Sequence, residues 1–250
     1  MDQTTKAQVF KGLHLKGTPL VLYNVWDAGS AKAVADAGAA AIATGSWSVA
    51  AAQGFGDGEA LPMADALRTA AQILGAVDLP VSVDFEGGYG VAPDVVASNV
   101  GLLMETGAVG LNFEDRVVGG EGLHAIATQA ARIAAIRAVA NAKGVPLFIN
   151  ARTDVFFQGS DDPDEALMAE ALARAVAYRD AGADGLFVPG LSDPGLIARI
   201  CAAQVLPVNI MRKGQEIAAL AGAGVARISH GPAPYITAMQ SVMQAAAALG

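Results

Sequence analysis

Three short segments carry residue types capable of metal and acid–base chemistry, and each closes an aliphatic run: Asp84-Phe85-Glu86, Asn112-Phe113-Glu114-Asp115 and Asn150-Ala151-Arg152-Thr153-Asp154. Side chains alternate along an extended strand, so Asp84 and Glu86 share a face, as do Asn112 with Glu114 and Asn150 with Arg152. Carboxylates converging in a low dielectric repel one another unless they share a cation or a proton. An oxygen-only donor set, with no His or Cys at ligand spacing, selects Mg²⁺, with Mn²⁺ as a substitute, over zinc. The metal set is therefore Asp84, Glu86 and Glu114, and Arg152 offers the planar fork that grips a substrate carboxylate. Each residue also has a plainer reading. Asp84 or Glu114 alone would serve as a helix cap, and Arg152 as a structural partner of Asp154 or Glu114. The coincidence of all three segments favours chemistry.

The elements that must position them announce themselves eight times. Pro precedes an aliphatic run at Pro19, Pro80, Pro146 and Pro207, and Gly-Ala does so at Gly38, Gly107, Gly182 and Gly222. Gly supplies the left-handed end of a helix and Pro suits the first residue of a strand, so both mark a helix-to-strand turn. The reading gives strands near 19–24, 39–45, 80–86, 108–115, 146–154, 185–190, 206–211 and 225–231. Ala-rich helices fill 28–37, 62–76, 93–106, 126–143, 162–181, 193–203, 214–221 and 233–248. Eight alternating pairs predict an α/β fold, a closed (β/α)8 barrel over 1–250 as one domain, with an extra N-terminal helix within Met1–Lys16. A doubly wound open sheet is the alternative. Carboxyl ends of the strands form the active face of such a barrel, and that is where the polar residues crowd.

Composition narrows the partners. With 53% hydrophobic and 16% charged residues, much surface must be buried within the fold or between subunits, which points to a homo-oligomer. A net charge of -8 without a Lys/Arg cluster argues against nucleic acid and anionic membranes. Cys201 is the sole cysteine, which suits a reducing cytoplasm, and the first residues lack the apolar core of a signal peptide. Ala37–Gly56 is uncharged, but its polar residues and glycines spoil it as a membrane span, and it reads as strand plus loop.

At VSVDFEGGYG (Val81 to Gly90), LNFEDR (Leu111 to Arg116) and FINARTDVF (Phe148 to Phe156) the sequence resembles the isocitrate lyase and phosphoenolpyruvate mutase superfamily, from about Leu20 to about Pro232. The resemblance implies a barrel whose last helix is exchanged between subunits of a homodimer or homotetramer, with Mg²⁺ over the strand ends and a 2-oxo acid or its enolate on the metal. By position, Asp84 resembles the direct metal carboxylate, while Glu86 and Glu114 hold metal waters. Asp57 in GFGDGE is similar to an aspartate of the loop after strand two. Gly45, Ser46 and Trp47 fall where donors bind the pyruvate-like part. Arg152 corresponds to the substrate-carboxylate arginine, and Asn209 to a polar residue near the distal end of the substrate.

The departures redirect the chemistry. Lyases of this superfamily carry a Lys-Lys/Arg-Cys-Gly-His lid whose Cys is the acid/base, and here RVVGGEGLHA (Arg116 to Ala125) stands in its place. Where the lyases have Glu and the mutase His after strand six, this chain has Pro189. The expectation is therefore a metal-dependent carbon–carbon lyase or decarboxylase acting through a metal-bound enolate on a small 2-oxo or 2-hydroxy dicarboxylate. His124 and His230 are the candidate acid/base groups, and the glycines of 119–122 form a mobile flap. A phosphonopyruvate-type hydrolase or phosphonomutase and a non-catalytic carboxylate-binding barrel are the alternatives.

Overall fold

The fold follows from what each strand shows to its two sides. In a computed structural model describing residues 1–157, 164–203 and 206–249, eight parallel strands run in the order β1-β8-β7-β6-β5-β4-β3-β2. They are β1 (Leu20–Leu22), β2 (Ile42–Ala43), β3 (Val81–Asp84), β4 (Gly110–Glu114), β5 (Phe148–Arg152), β6 (Gly185–Phe187), β7 (Val208–Met211) and β8 (Arg227–Ser229). Between β1 and β2 the ring closes through a parallel bridge, Val25 to Thr44. Eight strands thus make a nearly closed (β/α)8 barrel. The predicted 162–181 helix begins at Asp164, and its first two predicted residues lie outside the described residues.

Outward-facing Leu111, Phe113, Ile149 and Ala151 pack with α4 (Met63–Ala76), α5 (Pro93–Glu105) and α6 (Ile126–Ala142) into the largest apolar cluster. On the other side Leu186, Val208, Ile210 and Ile228 meet α7 (Asp164–Asp180), α8 (Pro194–Ala203) and α9 (Ile217–Gly222). The inward faces are unusual for a parallel barrel, whose strands normally show branched aliphatics there. Asn112, Asn150 and Asn209 form a side-chain chain across the interior, Asn150 Nδ2 donating to Asn112 Oδ1 at 2.9 Å and to Asn209 Oδ1 at 3.0 Å. Arg227 adds a bond to Asn112 Oδ1 at 3.1 Å. Gly185 is obligatory in this crowd, since a Cβ there would lie 2.8 Å from Asn150 Oδ1.

The N-terminal helix α1 (Gln3–Gly12), capped by Asp2 on the Thr5 amide, carries Ala7 and Phe10 against Phe148 at the floor of the barrel. His14 follows it, its ring stacked on Phe148 with centroids 4.0 Å apart and its Nδ1 2.8 Å from the Phe10 carbonyl oxygen. Burial, reinforced by the charge of Arg227, pushes His14 down to about 3. Its folded pKa lies below the unfolded value of about 6.5, so the unfolded chain takes up the proton first. Stability is therefore whole above pH 6.5 and declines as pH falls toward 3, by roughly 1.4 kcal/mol for each pH unit. Denaturation of parent and His14→Phe from pH 7 to 4 checks this. The stability difference should swing toward the variant on acidification, and a constant difference would assign His14 no proton linkage.

Three helices complete the chain. A short α3 (Ser46–Ala51) occupies the stretch read as strand plus loop, and α2 (Ala28–Asp36) begins in a capping box of Asp27 and Ser30. The last helix, α10 (Ala233–Ala247), has Pro234 as its only buried residue. No helix among the described residues is long and apolar enough to cross a membrane.

Candidate active site at the barrel mouth

Strand ends, loops and one helix start converge on a cavity of about 160 Å³ at the carboxyl ends of the strands, and among its lining residues are Gly45, Ser46, Trp47, Asp57, Asp84 and Arg152. Asp84 ends β3, one residue past the apolar run that anchors it. Its Oδ2 accepts from the Ser46 amide at 3.0 Å and from Ser46 Oγ at 2.9 Å. The donor amide is free because the first N–H groups of a helix have no partner within it. Asn112 Nδ2 stands 3.4 Å from Asp84 Oδ1, and the Asp84 amide donates to Thr44 Oγ1 at 2.8 Å. The carboxylate is thereby fixed on both oxygens.

Glu86 is buried behind Asp84 with a left-handed backbone, φ 49°. Its Oε2 accepts from the Glu59 amide at 2.7 Å, and Glu59 Oε1 accepts from the Tyr89 amide at 2.8 Å. Glu59 and Tyr89 are themselves left-handed, φ 57° and 55°. Three non-glycine residues in this conformation, tied by each other's carboxylates, hold strain of about 1–3 kcal/mol each next to the cavity, where such strain tends to be functional. Burial and then the charge of Asp84 push Glu86 up to about 7. The same two causes raise Asp57.

Glu114 ends β4 and meets Arg152 of β5 at 2.9 Å. Burial pushes Glu114 up to about 8 against the pull of Arg152. The guanidinium is further held by Asp154, Nε at 2.6 Å and Nη2 at 2.8 Å, and Glu114 and Asp154 together outweigh its burial and keep it charged. Arg152 thus has the structural ion pairs of its plainer reading while also lining the cavity.

The other sequence-derived candidates lie elsewhere. Asn209 is in the barrel interior below the cavity, bonded to Asn150 and to Ser229 Oγ. His124 lines a neighbouring cavity with Arg116, Glu59 and Arg132, and its amide donates to the Asp115 carbonyl at 2.8 Å. His230 rests its Nδ1 2.9 Å from the Leu22 carbonyl and its ring beside Tyr23. The 116–125 segment is a tight hairpin, bridged at Arg116 and Leu123 and crossed by the Val117–Gly122 bond.

Sequence reasoning passed over Asn24, whose Oδ1 accepts from the His230 and Gly231 amides and whose Nδ2 donates to the Thr44 carbonyl, lacing β1, β2 and β8 together at the mouth. A polar residue at the end of a strand was its signal, the same one that marks β3 to β5. Phe187 and Met211 were also missed, because apolar residues at strand ends look like core.

Among the described residues no three His, Cys, Asp or Glu side chains already stand in ligating geometry. The donor set nevertheless fits a hard divalent cation: Asp84, Glu86 and Glu114 are oxygen donors, and Glu86 and Glu114 are held near neutral pKa by burial and by their neighbours' charge.

A parallel eight-stranded barrel with a polar cavity at the carboxyl ends of its strands has the architecture of the (β/α)8-barrel enzymes. Residues 10–249 match the family model described as phosphoenolpyruvate phosphomutase, and the chain belongs to that family, within the phosphoenolpyruvate mutase/isocitrate lyase superfamily. It is 36% identical over 96% of its length to an uncharacterized protein of Mycobacterium tuberculosis (88% of that protein). It is 31% identical to a 2-methylisocitrate lyase of Salmonella typhimurium, over 83% of the chain and 70% of the relative. An oxaloacetate decarboxylase of Bradyrhizobium is also 31% identical, over 75% of the chain and 64% of that enzyme. A crystal structure from Burkholderia cenocepacia J2315, named for a presumed phosphonomutase activity, superposes with a TM-score of 0.96 at 51% identity, covering 99% of this chain and all of the other.

Proposed function

We propose that this chain is a metal-assisted carbon–carbon lyase or decarboxylase acting on a small 2-oxo or 2-hydroxy dicarboxylate. The observation that carries the reading is Asp84, half-buried, lining one cavity together with the charged Arg152, with the buried Glu86 two residues on from Asp84 and the buried Glu114 paired to Arg152. Asp84 would hold the cation directly, with Glu86 and Glu114 behind it. When bound, Mg²⁺ supplies Lewis-acid polarisation of the 2-oxo group and a sink for developing negative charge. Ser46 donates both its amide and its hydroxyl to Asp84 Oδ2 and so orients the carboxylate that would hold the cation. Arg152, rigidly braced by Glu114 and Asp154, fixes the field across the cavity. Asp57 also lines the cavity, and burial and then the charge of Asp84 raise its pKa above the ordinary carboxylate value, which suits it to proton exchange with a bound acid. Similarity to an oxaloacetate decarboxylase and to a 2-methylisocitrate lyase is in keeping with carbon–carbon cleavage, while the family model and the 51%-identical structure carry phosphomutase and phosphonomutase names, so the preference over carbon–phosphorus chemistry rests on the cavity lining. A phosphonyl group calls for several cationic donors, and Arg152 is the one basic side chain among the described residues lining the cavity.

The test is a screen for pyruvate or CO₂ release from oxaloacetate, substituted malates, methylisocitrate and phosphonopyruvate, with Mg²⁺ and after chelation. Cation-dependent release from a carbon–carbon substrate supports the reading. Release from phosphonopyruvate alone, or cation-independent turnover, overturns it.

The assembly we propose is a homodimer or homotetramer built by α10. Its first turn is pinned by Tyr235, edge-on to Trp26 at 5.2 Å, whereas Ile236, Met239, Val242 and Met243 are exposed. Beside it Tyr23, Trp26, Ala33 and Val34 line an open apolar groove. An exposed apolar helix and an open apolar groove on one chain are complementary in a second copy. Light scattering should give a dimer or tetramer for the parent and a smaller species for Val242→Lys/Met243→Lys. A monomeric parent would refute the assembly.

A further inference from the structure

Below the mouth, a ring of hydrogen bonds crosses the barrel interior between four strands. The Arg227 carbonyl of β8 accepts from Asn209 Nδ2 of β7 at 3.2 Å. Asn209 Oδ1 accepts from Asn150 Nδ2 of β5 at 3.0 Å, and the same amide donates to Asn112 Oδ1 of β4 at 2.9 Å. Arg227 Nη2 donates to Asn112 Oδ1 at 3.1 Å and so returns the ring to β8. Of these four residues Asn112 alone lines the cavity, and its Nδ2 stands 3.4 Å from Asp84 Oδ1.

The ring has a direction. Two donors claim Asn112 Oδ1, so a turned amide would set its own N–H groups against them. Nδ2 is therefore left to face Asp84, while Ser46 holds the other oxygen of that carboxylate. Arg227 enters the ring at both ends, through its carbonyl and through its guanidinium.

The charge of Arg227 is costly where it lies. The residue is 1% exposed, and its Nε and Nη1 are buried without a hydrogen-bond partner. Burial pushes its pKa down to about 10, against the pull of Asp84. A buried charge with so little compensation can often be exchanged for an apolar side chain of similar volume without loss of stability. Packing alone therefore does not account for an arginine here.

We propose that Arg227 is a positioning residue for the cation site: acting through Asn112, it fixes the orientation of Asp84, the carboxylate that takes the cation. This deepens the lyase reading above and rests on it for the cation at Asp84.

The sign of the effect separates this role from two others. Removing a positive charge below Asp84 should, by electrostatics alone, tighten a cation there, and removing mere packing should leave its affinity unchanged. Loss of orientation weakens it, by about tenfold or more for a residue behind a metal ligand.

Calorimetry with Mg²⁺ alone compares the parent, Arg227→Met, Asn112→Leu and the double variant, beside the oxo-acid screen on the parent. Expected is about tenfold weaker Mg²⁺ binding in each single variant and no further loss in the double, because both changes cut one path. If Arg227→Met does not fold, the double variant, which strands no charge, is compared with Asn112→Leu, and equal affinities support the relay. Unchanged or tighter Mg²⁺ binding in Arg227→Met, or a double variant weaker than Asn112→Leu by a further tenfold or so, overturns the relay and leaves the lyase reading in place. Weakened Mg²⁺ binding in the variants of a parent that turns over no oxo acid supports the relay and overturns the lyase reading. A parent that binds no Mg²⁺ overturns both.

Discussion

Asp84→Asn is expected to lower turnover by about 10³-fold while leaving the melting temperature unchanged or raised. The loss follows from removing the carboxylate placed to hold the cation, whose charge stabilisation is worth several kcal/mol in the transition state. The stability half follows from electrostatics. Asp84 sits in a crowd, and its charge helps to raise Glu86, Asp57 and Glu114. A neutral amide of the same shape relieves that repulsion, and its oxygen can still accept from Ser46. The same crowd fixes a pH dependence. Glu86 and Glu114 have folded pKa values near 7 and 8, above the ordinary carboxylate range. Stability without cation is thus whole below pH 4.5 and lost as pH rises through 7 to 8. Mg²⁺ should restore more of the melting temperature at pH 8.5 than at pH 6 and should release protons on binding. In Asp84→Asn both effects should shrink. Retention of more than a tenth of the activity would remove Asp84 from the chemistry, and a Mg²⁺ effect independent of pH would remove the carboxylates from the cation site.

The legible parts of this molecule are those that follow from local rules. Pro and Gly-Ala punctuation locates the eight strands because turn chemistry is local, and alternation along β3 to β5 puts Asp84, Glu114 and Arg152 on the inward face because the pleat has period two. What stayed hidden depends on partners far apart in sequence. Helix α3 is six residues long in an uncharged Ala/Gly stretch, too short for helical periodicity to register. The polar barrel interior was equally opaque, since Asn150, Asn112 and Asn209 each read as a strand-end donor until the closed barrel joins them. His124 and His230 looked like acid/base groups by residue type alone. Their surroundings, a neighbouring cavity for one and a backbone carbonyl for the other, appear only once loops are placed. Phe187 and Met211 were hidden for the opposite reason, because apolar strand residues are indistinguishable from core until one knows which strand end opens on a cavity.

Asp115 is the residue on which the geometry of the mouth most depends without touching the cavity. It is fully buried just past the end of β4, and burial raises its pKa against the pulls of Tyr178, the Asp154 amide, Arg174 and Thr153. Its Oδ1 accepts from the Asp154 amide at 3.0 Å, and its Oδ2 accepts from Tyr178 at 2.7 Å and from Arg174 at 3.1 Å. Arg174 reaches on to the His124 carbonyl at 2.9 Å and to Glu170. One carboxylate therefore ties α7, the base of the 116–125 hairpin and the turn that carries Asp154. Asp115→Ala leaves a buried guanidinium with only the half-exposed Glu170 as counter-charge and orphans an amide and a phenol, which should cost about 3–5 kcal/mol. For a chain of this size that is a fall of roughly 10 °C in melting temperature. Activity should also drop, because Asp154 is the main brace of Arg152. Removing both charges in Asp115→Ala/Arg174→Met should cost less than the sum of the single changes, since the second change removes the charge that the first strands. Denaturant midpoints of the four proteins decide the matter. A strictly additive cycle would mean that Asp115 and Arg174 stabilise the fold independently, and the hub would reduce to packing.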